Sequence, residues 1–237
     1  MDNAGYVTLT RQSGLMAELR TLAQNVANAS TVGYRREALV FSEFVKTGGE
    51  ESLSMGQATA RFLDESQGVL KRTGGTFDLA IEGEGYFRIE TDGGERLTRA
   101  GNFALSEEGE VVTIDGQRVL SADGAAIAIP QDAGDIAISS DGGISVAGEV
   151  IARIGISTAD PKTLRREGDN LLLPLEGSRP MDDFRIAQGF LENSNVNSVT
   201  EISRLIEVQR AYEMGQGLMQ REHDRMTNTI QTLGRSA

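Results

Sequence analysis

The chain has 237 residues, a formal net charge of −12 and no cysteine. That length allows one large domain or two modest ones. The missing cysteine excludes disulfides, thiolate catalysis and cysteine-ligated metals, and the acidic balance argues against a nucleic-acid partner, which needs a basic surface.

The charge is unevenly placed. Residues 1–45 hold 4 basic and 4 acidic side chains, residues 46–189 hold 14 and 25, and residues 190–237 hold 5 and 6. Near-neutral ends suit segments that pack against other copies, since self-repulsion there is small. No apolar run is long enough to span a membrane. The N-terminus lacks the basic patch, apolar run and small-residue site of a secretory signal, so any export is expected to proceed without a cleaved one.

Taken in order, residues 5–30 read as a helix. Leu15, Leu19, Leu22, Val26 and Ala29 recur at alternating spacings of four and three. Asn25 and Asn28 are poor helix formers near its end, and Gly33 supplies a stop. From Lys46 to Gly75 the periodicity is lost among Gly, Glu and Ser, which reads as an extended connection that could hold a hairpin. From Thr76 the period becomes two: Leu79–Ile81, Tyr86–Glu90, Arg96–Arg99, Val111–Ile114 and further short apolar runs are separated by Asp92–Gly93, Asp115–Gly116, Asp123–Gly124 and Asp141–Gly142. Asp–Gly between alternating runs is a hairpin signal, and this spacing predicts an antiparallel β domain. These pairs lack the spaced acidic positions and closing Glu of a calcium loop.

The last segment carries the longest regular pattern. Val199, Ile202, Leu205, Gln209, Tyr212, Gln216, Met219, His223, Met226, Ile230 and Leu233 fall on one heptad stripe with no proline. A helix over Asn195–Leu233 is about 57 Å long at ~1.5 Å per residue and needs a second long helix beside it. The N-terminal helix is the one candidate, and it is shorter, about 39 Å on the same rise. Ser194, Asn195 and Asn197 are suitable caps.

Three motifs in these elements resemble the axial proteins of the bacterial flagellum, the rod and hook family. Gln24–Asn25–Val26–Ala27–Asn28–Ala29–Ser30–Thr31–Val32–Gly33–Tyr34–Arg35 is similar to the family's N-terminal signature, with Gln24 and Val26 as mild departures. Leu79–Ala80–Ile81–Glu82–Gly83–Glu84–Gly85–Tyr86–Phe87, continued by Thr98–Arg99–Ala100–Gly101–Asn102–Phe103, is similar to the β-domain core. Leu191–Glu192–Asn193–Ser194–Asn195–Val196 with Gln209–Arg210–Ala211–Tyr212–Glu213 is similar to the C-terminal signature.

The resemblance implies an α+β protein: an antiparallel all-β central domain, with N- and C-terminal helices paired as a coiled coil. The expected division is an N-terminal rod helix in 1–45 pairing with 190–237, a linker in 46–75, the β domain in 76–189 and the C-terminal coiled-coil helix in 190–237. It implies a structural subunit of the rod, more of its proximal than its distal part, that transmits torque to the hook. The expected interface residues are Leu15, Leu19, Leu22, Asn25, Val26, Asn28, Gly33, Tyr34, Asn195, Val196, Ile202, Leu205, Gln209, Arg210, Tyr212, Met219, Met226, Ile230 and Leu233. Its implied partners are copies of itself, neighbouring rod proteins and the flagellar type III export apparatus, with a place in the periplasmic basal body. No cofactor, metal, nucleic acid or small-molecule substrate is expected. The rival readings are a secreted enzyme using Glu82 with Glu84 or Glu107 with Glu108, and an adhesin-like module. Neither accounts for the terminal heptads, and one His, His223, cannot make a multi-His metal site.

Overall fold

A computed structural model describes residues 2–46, 53–130 and 134–235. The chain divides into two compact units, one made of residues 1–27, 37–61 and 197–237, the other of residues 28–36 and 62–196.

The first unit holds two helices, α1 (Asp2–Ala27) and α2 (Ser198–Arg235), and a two-stranded sheet of β1 (Glu37–Lys46) with β2 (Leu53–Leu63), which runs to the edge of this unit. β1 follows from its composition: the run Ala38–Leu39–Val40–Phe41 is rich in residues that suit an extended backbone. α2 starts at a side-chain cap, with the Asn197 Oδ1 accepting the N–H groups of Val199 (3.1 Å) and Thr200 (3.2 Å). The helices run antiparallel. Gln12 reaches the Tyr212 carbonyl (3.0 Å), Glu18 pairs with Arg204 (2.8 Å) and Asn25 bonds Glu201 (3.0 Å), so numbers rise on one helix as they fall on the other.

The face α2 turns to α1 is Glu201, Leu205, Val208, Tyr212, Gly215 and Met219, all buried or half-buried. Leu205, Tyr212 and Met219 lie on the heptad stripe read from the sequence. Its alternate members Ile202, Gln209 and Gln216 are exposed, and Glu201, Val208 and Gly215 stand one residue away in their place. The reason is polar and steric. Glu201 is held by Asn25, and Gly215 leaves the room that Gln12 fills, since a Cβ there lies 1.9 Å from Gln12 Nε2. Gly217 is different, because a Cβ added there meets nothing within 4 Å. Gly217→Ala is therefore expected to raise the stability of the free helix pair by about 1 kcal/mol. Urea unfolding followed by far-ultraviolet circular dichroism checks this; a lowered midpoint contradicts it.

The second unit is the β-rich one, and the ladders described in it are antiparallel. After β3 (Leu70–Arg72) and β4 (Leu79–Glu82) come β5 (Tyr86–Thr91) and β6 (Gly94–Thr98). The last two form a hairpin with Asp92–Gly93 as its two-residue loop and lie inside a nine-stranded sheet. Leu79, Ile81, Phe87, Ile89, Phe103 and Ile186 belong to one buried core, where Phe87 and Phe103 meet edge to face at 5.1 Å. The other three Asp–Gly pairs sit in turns of one kind. Gly116, Gly124 and Gly142 have positive φ and donate their N–H to Thr113, Ser121 and Ser139 three residues back. A fourth such turn, Ser106 to Gly109, lacks the Asp. The recurring signal is thus Ser or Thr three residues before Gly, and the hydroxyls of Ser106, Thr113 and Ser121 each accept a further N–H.

Carboxylates held below their ordinary values tie this unit's stability to pH, Glu95 and Asp64 among them. Burial opposes the charge on Glu95, yet the bonds from Arg88 (2.7 Å) and Ser178 (2.8 Å) outweigh it and hold the carboxyl below its ordinary 4.5. Burial likewise opposes Asp64, which Ser66 holds below 3.8. Their folded values lie below the unfolded ones, so the folded state binds fewer protons, and their contribution is lost as the pH falls through those values. Burial and then the Glu84 carboxylate push Glu65 the other way, above 4.5, a partial offset. The urea midpoint is expected to drop between about pH 5 and about pH 3, less steeply in Glu95→Gln. An equally steep drop in that variant contradicts this account.

Candidate assembly site

The sequence-derived interface residues fall into three groups. Leu22 and Asn25 are buried and Leu15, Leu19 and Val26 half-buried on α1; Leu205, Tyr212 and Met219 are half-buried on α2. Asn25 is fully enclosed: its Oδ1 accepts the Glu37 N–H (3.0 Å), and its Nδ2 donates to the Glu37 carbonyl (2.8 Å) and to Glu201.

Ile202, Gln209, Arg210 and Met226 form the second group and are exposed, as are Val199 and His223. Val199 and Ile202, with Ile206 and Met214, leave apolar surface on α2 away from α1: Val199 is 75 % and Met214 66 % exposed. The side chains of Ile230 and Leu233 lie outside the described residues.

The third group sits in the β-rich unit. Gly33, with φ +66°, donates its N–H to the Glu192 carbonyl (2.7 Å), and a Cβ on it would stand 2.2 Å from the Arg99 carbonyl carbon. Tyr34 is buried beneath the Arg166 guanidinium, 4.1 Å from its ring centre. The Asn195 side chain accepts the Arg36 N–H (2.6 Å) and donates to the carbonyls of Asp64 (3.0 Å) and Ser66 (2.9 Å). Asn28 forms a turn with Thr31 at 3.1 Å, and Val196 is half-buried.

At the centre of this third group is a charge cluster absent from the sequence-derived set. The Glu192 carboxylate pairs with Arg35 and with Arg99, both at 3.1 Å, and all three side chains are 2–3 % exposed. Its Oε1 also accepts the Gly68 N–H (2.9 Å). Arg35 donates to the carbonyls of Glu65 and Ser66, and Arg99 to those of Ile81 and Gly83. Burial pulls the Arg99 guanidinium down to about 10, with Glu192 acting against it, so it stays charged at neutral pH. Each of the three motifs contributes one member of the cluster: Arg35, Arg99 and Glu192. Their separation along the chain, 64 and 93 residues, hid the triad from any local reading.

The remaining surface offers little for chemistry. Glu82, Glu84, Glu107 and Glu108 are exposed, and no group of three His, Cys, Asp or Glu among the described residues is placed to hold a metal. No described helix is long and apolar enough to cross a membrane. An open groove of about 1050 Å³ in the β-rich unit is lined by Glu90, Asp92, Glu110 and Glu167, with Arg96 and Arg118 paired to Glu167 and Glu110 at 2.6 Å. It is polar and acidic, its carboxylates outnumbering the two arginines, unlike the apolar concave sites that hold small ligands.

Comparison with known proteins agrees with the motifs. Residues 80–146 match the flagellar hook protein FlgE/F/G D1 domain, and residues 187–232 match the flagellar basal body rod FlgEFG protein C-terminal family. A flagellar basal-body rod protein FlgF of Mesorhizobium japonicum is 38 % identical over 238 residues, 99 % of each chain. The chain belongs to the flagellar basal-body rod protein family. A FlgF of Rhizobium meliloti is 39 % identical over 240 residues, the whole of both chains. A FlgG of Bacillus subtilis is 33 % identical over 238 residues, 88 % of this chain and 90 % of that one. The chain is thus a structural rod protein most like FlgF, in a family not known for enzymes.

Proposed function

We propose that this rod subunit occupies the proximal part of the flagellar rod, pairs its terminal helices as a coiled coil and assembles through them with copies of itself and neighbouring rod subunits. The observation that carries this reading is the apolar surface of α2 turned away from α1, with Val199, Ile202, Ile206 and Met214 exposed. Charge does not oppose association there, since residues 190–237 hold 5 basic and 6 acidic side chains. Side-by-side heterologous contacts of this kind build an open helical array, the geometry of a shaft that passes torque to the hook. The full-length similarity to proteins named FlgF supports the proximal place. Export by the flagellar type III apparatus, without a cleaved signal, and assembly in the periplasm complete the reading.

The double variant Ile202→Asp, Ile206→Asp tests it. Both side chains are partly exposed, at 45 % and 44 %, so the free chain is expected to stay folded while incorporation into basal bodies falls about tenfold or more. Quantifying a tagged copy in isolated basal bodies reads this. Normal incorporation overturns the proposal.

A further inference from the structure

The β-rich unit is closed by its final strands. β3 pairs with Phe190–Glu192, and β4 pairs with Arg185–Gln188, bringing Leu79 opposite Gln188. Between them lie hairpins, β5 with β6, Phe103–Leu105 with Val111–Thr113 and Ile136–Ile138 with Gly143–Val146, and pairs of intermediate span, β5 with Ile156–Thr158 and β6 with Leu172–Pro174; the closures of β3 and β4 have the longest spans of the described ladders. Long closures cost more chain entropy than hairpins and form later. The charges point the same way. Arg35 and Arg99 are buried, and the carboxylate they share is Glu192. Before Glu192 docks, those two guanidiniums have no counter-ion from the closing strand, and carbonyls alone do not neutralise them. The core agrees as well, since Leu79, Ile81 and Ile186 pack with Phe87 and Ile89.

We infer that residues 185–192 are a closing latch: the unit keeps its hairpins but stays open until this segment docks, and Glu192 seats it by neutralising Arg35 and Arg99. The latch makes the order of the first strands conditional on the arrival of the last. A chain whose C-terminal part is still elsewhere is thereby held short of the native unit.

Pulse-labelled hydrogen exchange during refolding of the full chain tests this. Amides of β5 and β6 are expected to gain protection about tenfold or more earlier than those of β3, β4 and 185–192, which appear together. Glu192→Gln is expected to slow that late step about tenfold or more, leaving the hairpin phase within about twofold. Protection of β3 and β4 together with or before the hairpin overturns the latch, as does a late step that Glu192→Gln does not slow. If the variant does not fold, the order of protection in the unaltered chain decides. The measurement is made on the monomer, so its failure leaves the rod assignment standing.

Discussion

Replacing Glu192 with alanine is expected to destabilise the protein by about 3–5 kcal/mol, the loss seen when one partner of a buried ion pair is removed. The size comes from what remains. Arg35 and Arg99 are enclosed to within 2–3 % of their surface, and neither can turn to water without opening the unit. The Gly68 N–H loses its acceptor at the same time. Neutralising the arginines instead is a different perturbation. Arg99→Met removes a charge that burial already disfavours, so it is expected to cost less than Glu192→Ala, and the double variant less than the sum of the two. Urea unfolding of the full chain, with a probe in the β-rich unit, measures all three. A Glu192→Ala midpoint equal to that of the unaltered protein removes the cluster from the account of stability.

Gly33→Ala has the second large effect, about 3 kcal/mol or more. Two costs combine. At φ +66° an L side chain costs about 1–2 kcal/mol. The new Cβ also overlaps main chain, 2.2 Å from the carbonyl carbon of Arg99 and 2.3 Å from the nitrogen of Ala100. A side chain can swing aside, but these atoms belong to the strand end that carries Arg99 into the cluster. Relief requires Gly33 to withdraw, which breaks its bond to the Glu192 carbonyl. Gly74→Ala is the matched control. Its φ is +80° but nothing lies within 4 Å, so only the conformational cost of about 1–2 kcal/mol applies. Equal losses in the two variants would falsify the close-packing account and leave backbone conformation as the whole effect.

Periodicity makes the helices and the antiparallel β domain legible in the sequence, because a helix stripe and an alternating strand are written in neighbouring residues. The β5–β6 hairpin was legible for the same reason: Asp92–Gly93 lies between two alternating runs. Three signals escaped. The helix seam passes through Glu201 and Gly215, residues that no hydrophobic pattern selects; a polar group earns its place there by bonding Asn25, and a missing Cβ by admitting Gln12. The pairing of β3 with Phe190–Glu192 depends on a partner more than a hundred residues away. In the third, Arg35, Arg99 and Glu192 look like ordinary charged residues within three recognisable motifs.

By itself the sequence determined the family, the structural rather than enzymatic role, and the alternation of helical and extended segments, since these depend on local composition and short motifs. Only the tertiary structure decided which α2 residues meet α1, which stay exposed, and that Gly33, Tyr34 and Asn195 are engaged inside the β-rich unit. The physical reason is range. Propensity and turn chemistry act over a few residues, whereas neutralising a buried charge and fitting a Cβ-free approach are satisfied by whatever the fold brings within about 3 Å, however distant in the chain.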